Sequence, residues 1–290
     1  MRAFSAHAVA GPVYDLLDCE GIPGRVVGSW SSAAYIETEG FVVALTGRGV
    51  PFMPNGIALT ERGGLEAFAR GAPVRLSSTE IRSSDAIVRL TGAQVRDAAV
   101  SRNEGHLAAD VNRRGDELLE SFGLRSQDDL AVRARSLNLA VGQAEGALDH
   151  LGRALGDLDD DAAGSAAALL AGRGPGLTPE GDDVLASCAA GLLAFAEPCG
   201  LPGPVVEGIV KALTSDLDER TAPLSATLLR LAARGRVVEP ATQVLDLDRR
   251  PAEWRGSLDR LMRVGHSTGR AYAWGCSVAA TRLSALQLKE

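Results

Sequence analysis

Gly172-Arg173-Gly174-Pro175-Gly176-Leu177-Thr178-Pro179-Glu180-Gly181-Asp182-Asp183 runs directly into the apolar segment Val184 to Phe195. Four glycines, two prolines and three carboxylates in so short a stretch mark a loop, and the segment behind it has the character of a buried helix. Thr178 is placed as the N-cap, with Pro179 at the first helical position, where its missing N–H costs nothing. Glu180, Asp182 and Asp183 then fall in the first turn. There they complement the positive end of the helix dipole but repel a bare anion.

Outward from this junction the chain reads as helices. Toward the C-terminus, helices are expected over Asp182 to Ala196, Pro204 to Ser215, Pro223 to Ala233, Glu253 to Val264 and Gly269 to Leu288. Toward the N-terminus, Asp128 to Leu151 is a long helical segment, and the acidic run Asp157 to Asp161 is a solvated turn before a helix from Ala162 to Ala171. A helical period reaches back to Val95, Ala98 and Ala99, interrupted near Gly105. Residues before that read differently. Arg25 to Trp30, Ala34 to Glu37, Phe41 to Leu45 and Ile57 to Thr60 are short β-rich runs between Ser and Gly breaks. Val74 to Leu76 and Ala86 to Leu90 would close the sheet, Glu61 to Arg70 is a short helix, and Pro54-Asn55-Gly56 is a turn. The fold class expected is therefore α+β. A small β-rich domain, a meander or barrel, spans 1–91, and a larger, mostly α-helical domain over 92–290 carries the Gly-rich loop.

Composition bounds the function. With 46% hydrophobic and 23% charged residues the chain is an ordinary globular protein, and its 4% aromatics favour close-packed helices over an aromatic-rich sandwich. A formal net charge of −7 gives no electrostatic footprint for nucleic acid or an anionic membrane. Cys19, Cys188, Cys199 and Cys276 lack CxxC spacing and read as reduced thiols. Met1 to Ala10 is too weak for a signal peptide, and no apolar run is long enough to span a bilayer. A soluble, cytoplasmic protein is expected.

Three constellations could carry chemistry. In the first loop, glycines let successive N–H groups approach a ligand at a helix N-terminus, which suits phosphate, carboxylate or carbamate. No GK[ST] follows, and no strand–GxGxxG–helix context surrounds it. Glu180, Asp182 and Asp183 suggest a hard cation, Mg²⁺, beside the anion, or else acids that only complement the dipole. The second is Gly265-His266-Ser267-Thr268-Gly269, another loop before an apolar helix. Ser267 or Thr268 can cap that helix, N–H groups near Gly269 can take an oxyanion, and His266 is the candidate acid–base group. The third is Arg220-Thr221-Ala222-Pro223-Leu224-Ser225. Thr221 and Ser225 stand near a helix start, and Arg220, like Arg173 and Arg270, could grip an anion.

Taken together, Gly174 to Asp183, Thr221 with Ser225, and Gly265 to Gly269 resemble a bacterial family whose signature is G-x-G-L-T-P-S-G-D-D, the AllH-type subunit of oxamate carbamoyltransferase. The resemblance is strongest over about 165–290. Glu180 stands where serine is common in the family, and Arg270 where an acid is commoner. The resemblance implies a part in carbamoyl transfer between oxamate and carbamoyl phosphate, in complex with partner subunits. On that basis Gly174, Gly176 and Thr178 contact the small anionic substrate, Asp182 and Asp183 organise the loop or a metal, and His266 and Ser267 form the facing wall. Two other readings stand beside it. One is a scaffolding subunit whose loops hold a partner chain; the other is a stand-alone Mg²⁺-dependent enzyme acting on a small phosphorylated or carboxylated metabolite.

Overall fold

Period-two burial builds the first unit: in β3 (Ala33–Thr38), Ala34, Ile36 and Thr38 are buried while Ala33, Tyr35 and Glu37 are half-buried. The same pattern turns Phe4 and Ala6 of β1 (Arg2–Ala10) inward. The remaining strands are β2 (Ile22–Ser29), β4 (Phe41–Thr46), β5 (Gly56–Leu59), β6 (Pro73–Leu76), β7 (Glu80–Arg82), β8 (Ala86–Arg89) and β9 (Gln94–Arg96). They hydrogen-bond in the order β5-β4-β3-β2-β6-β7-β8-β1, and β1 returns to β5, so eight strands form a closed barrel. β8 pairs with Arg2 to Ser5 and β9 with Ala8 to Ala10 on the same side of β1, which leaves β9 as an extra strand. Closure satisfies both edges of β1 and β5 and surrounds a core of Phe4, Val26, Ile36, Leu45, Ile57, Leu76, Ile81 and Val88. A helix, α1 (Gly11–Leu16), follows β1 directly.

The computed structural model describes residues 1–124, 143–216 and 219–286. The chain forms two units, Met1–Ala98 and Ala99–Glu290. Three local readings change. Gln94–Arg96 is a strand and not the start of a helical period, since a polar–apolar–polar triplet fits a strand equally well and β1 offers it a partner. Only Leu65–Ala67 of the expected helix at 61–70 is helical, as a single 3-10 turn entered through Gly64 at φ 98°. Asn55 does close a turn, with Gly56 N–H donating to Met53 at 3.0 Å, but it is fully buried and its amide donates to Val42 O at 2.7 Å.

The second unit is helical: α2 (Ala108–Ser121), α3 (Gln143–Asp157), α4 (Asp160–Leu170), α5 (Glu180–Phe195), α6 (Gly203–Thr214), α7 (Pro223–Ala232), α8 (Glu239–Leu245), α9 (Pro251–Met262) and α10 (Thr268–Leu286). The part of the expected 128–151 helix that precedes Gln143 lies outside the described residues. The acidic run is half turn and half helix: Asp159 caps α4 by accepting from Ala162 N–H at 2.9 Å, and Asp160 and Asp161 are in its first turn.

α5 is buried along nearly its whole length against α10, and small residues make that possible. A Cβ on Gly275 would lie 2.0 Å from Ser187 Oγ, and one on Gly191 would lie 2.6 Å from Ala279 Cβ. Cys188 and Cys276 are buried in these helices as small hydrophobes, and the four cysteines are thiols outside any disulfide. Two buried polar groups fasten the surrounding elements. Asn103 donates to Ala194 O and Leu245 O, both at 3.0 Å, and accepts from Leu247 N–H at 2.9 Å. Arg114 reaches the carbonyls of Val244 and Asp246 and lies 4.9 Å over the Trp254 ring. Among the described residues no helix is long and apolar enough to cross a membrane.

Candidate functional site

α5, α7 and α10 all begin at one place, and side chains from their starts join them. Asp182, in the first turn of α5, accepts the Gly172 N–H at 2.8 Å and the Thr221 hydroxyl from just before α7. Ser225, inside α7, donates to Leu177 O at 3.4 Å and also bonds Asp182. Thr178 and Thr268 touch hydroxyl to hydroxyl at 3.2 Å, and Thr268 continues to the carboxyl of Asp183. The loops of the first and second constellations and the start of the third therefore meet.

Thr178 is not the N-cap. Pro179 takes that position with φ −53° and ψ 140°, no side chain caps the helix, and Glu180 is its first residue. The physical reason is the inward pull on Thr178, whose hydroxyl is directed at Thr268 and not back at its own helix. The first turn consequently keeps open donors. The N–H groups of Gly174, Gly176, Thr178 and Glu180 make no hydrogen bond among the described residues, and neither do those of His266, Ser267 and Thr268 before α10. Gly174, at φ 119°, matters here. A Cβ on it would sit 2.7 Å from the Glu180 nitrogen and cover that donor. Gly269 serves packing instead. It is buried, its N–H is spent on Val264 O at 3.0 Å, and a Cβ there would strike Leu261 O.

The acids do not face an incoming anion as a row of free charges. Glu180, Asp182 and Asp183 are each at most 2% exposed. Burial raises the pKa of Asp182, opposed by its bonds from Thr221, Gly172 and Ser225. Burial raises Asp183 well above the usual carboxylate range, and the charges of Asp182 and Glu180 add to this against the single bond from Thr268. One oxygen of Asp183 and one of Glu180 are buried without a partner among the described residues. Among those residues no three His, Cys, Asp or Glu side chains gather as a metal-binding group, the trio Glu180, Asp182 and Asp183 included. Asp182 in particular has both oxygens committed to the protein.

The arginines are spread out. Arg173 donates through Nε to Leu169 O and Arg220 to Ala168 O, both at 3.3 Å, so each lies on the carbonyl end of α4. His266 is exposed on the second loop, and Arg270 is exposed in the first turn of α10. Tyr272 was not singled out from sequence. It is buried one turn after Thr268, near enough to Asp183 for that charge to help burial raise its pKa, and its i, i+4 spacing from Thr268 was the signal that could have found it.

Residues 170–280, from the last residue of α4 into α10, match the family described as oxamate carbamoyltransferase subunit AllH. The similarity is confined to this part of the chain. The matched segment contains all three helix starts just described and excludes the barrel. No curated protein and no solved structure matches the chain.

Proposed function

We propose that the chain acts as the AllH-type subunit of a carbamoyltransferase and holds a small anionic substrate, carbamoyl phosphate or oxamate, where α5 and α10 begin. The observation that carries this reading is the open row of N–H groups from Gly174 to Glu180, which Gly174 leaves uncovered. Backbone donors at a helix start bind oxyanions without a cation and stabilise charge that develops during acyl transfer. Gly174, Gly176 and Thr178 form one side of the seat, and Ser267 and Thr268 form the other, with Gly269 allowing the close approach of α10. His266 stands at the exposed edge as the proton-handling group. Asp182, Thr221 and Ser225 brace the loop from beneath, and burial disfavours the charged form of Asp183 beside the anion. Transfer itself takes place in a complex with other subunits.

Thermal melting of the full chain with carbamoyl phosphate, inorganic phosphate and oxamate tests the seat. The midpoint should rise with at least one of them, because a ligand that binds only the folded state stabilises it. Gly174→Ala should remove the rise by covering the Glu180 N–H. A chain whose midpoint no anion moves, yet which partner subunits require for assembly, would be a scaffold. Carbamoyl transfer by the isolated chain would replace the subunit reading with that of a complete enzyme.

A further inference from the structure

A cavity of about 750 Å³ opens at the other end of α5. Its lining runs from Leu193 and Glu197 through Leu201 to Val206 in α6, and across to Val100, Arg102 and Arg234. A rise of about 1.5 Å per helical residue puts Leu193 roughly 16 Å along α5 from Asp182, so this cavity is separate from the joined helix starts. Its size falls within the range of small-molecule sites, about 300–1,000 Å³.

One wall is bare backbone. Gly235, at φ 71°, would bring a Cβ to 3.0 Å from Val100 and 3.7 Å from Leu193, and its carbonyl accepts from Val100 N–H at 2.8 Å. The glycine thus keeps the wall thin while the hydrogen bond fixes it. Val100, Leu193, Leu201 and Val206 give the lining an apolar part, while Arg102 and Arg234 are exposed and form no side-chain hydrogen bond or ion pair among the described residues. Glu197 and Glu207 share the lining and leave the two guanidiniums unpaired. These carboxylates disfavour a multiply charged phosphate and leave room for a monoanion.

We propose that this cavity binds a small amphipathic carboxylate, its apolar body against Val100, Leu193, Leu201 and Val206 and its head group on Arg102 and Arg234. Guanidinium and carboxylate match in a bidentate fork, which sets the orientation, and the apolar walls supply burial.

Titration of the full chain with 8-anilinonaphthalene-1-sulfonate, followed by displacement with octanoate, tests it. One saturable site should appear, displaced by octanoate and not by octanol. Arg102→Glu with Arg234→Glu, both on the surface, should weaken octanoate roughly tenfold or more while circular dichroism stays unchanged. Ala233→Trp, which fills the cavity, should abolish displaceable binding. Displacement by octanol as strong as by octanoate, or an unchanged octanoate affinity in the charge-reversed protein, would overturn the proposal.

Discussion

At the second residue of α5 stands Gly181, and at the second residue of α10 stands Gly269. Each N–H donates back into the loop before it, Gly181 to Arg173 O at 2.9 Å and Gly269 to Val264 O at 3.0 Å. Each Cα also lies against a carbonyl near the end of the preceding helix, where a Cβ would come 2.1 Å from Leu170 O and 1.7 Å from Leu261 O. The next residues part company. After Gly181 come Asp182 and Asp183, turned inward and buried; after Gly269 comes Arg270, exposed. One backbone device is used twice, with acid inside at one start and base outside at the other. The difference bears on the proposed anion seat. The acids at the first helix start are occupied or buried, and the open donors there are backbone N–H groups.

The severest way to break this parallel is to fill either glycine. Gly181→Ala and Gly269→Ala each force a methyl into a backbone carbonyl that has no side chain to move aside. Each should cost at least about 3 kcal/mol, among the largest single-residue effects in the helical unit. Urea denaturation measures it. A loss below about 1 kcal/mol at either position would mean that the helix start moves freely and that the shared device is not a constraint.

Much of this was legible in the sequence, and its limits are physical. The density of Gly172, Gly174, Gly176, Pro175 and Pro179 located the loop, because only special backbone conformations need such residues. The charges of Asp182 and Asp183 were visible but their direction was not. An acid in a first helical turn usually points to solvent, and what turns Asp182 inward is Thr221, 39 residues away. Thr178 misled for the same reason, since its partner Thr268 is 90 residues distant. In the barrel, Ala34, Ile36, Val43 and Leu45 announced strands by alternation, but closure rests on β1 meeting β5 across half the unit, and no local pattern encodes that pairing. Val95 shows the limit at short range, where three residues fit a helix and a strand alike.

A smaller effect separates the two starts by pH. A buried Asp183 holds its proton over a range in which the unfolded chain, at about pKa 3.9, has released its own. Folding then takes up a proton, so this residue's contribution to stability is greatest below pH 4 and is lost as pH rises through the folded pKa. Asp183→Asn removes the dependence. The stability of the variant relative to the natural protein should therefore climb from acid toward neutral pH in denaturation curves taken across that range. Arg270→Gln, at the equivalent neighbourhood of the other start, should give a flat difference. A flat difference for Asp183→Asn as well would show that Asp183 is solvated and ionised, and that the first loop carries a free negative charge after all.

The smallest effect concerns the bridge between the two loops. Thr268 has one hydroxyl proton; if it is given to Asp183, the oxygen of Thr268 must accept from Thr178, and the two threonines and the acid form a directed chain. Thr178→Val should cost roughly 0.5–1 kcal/mol and Thr268→Val roughly 1–2 kcal/mol, since only the second leaves a buried carboxyl without its donor. Made together they should cost less than the sum, by about 0.5 kcal/mol, because each removes part of the other's partner. Strict additivity would mean that the loops merely lie side by side. Coupling would mean that an anion held by the N–H groups of the first loop is felt by the second through Thr178 and Thr268, which is what a single seat made from two helix starts requires.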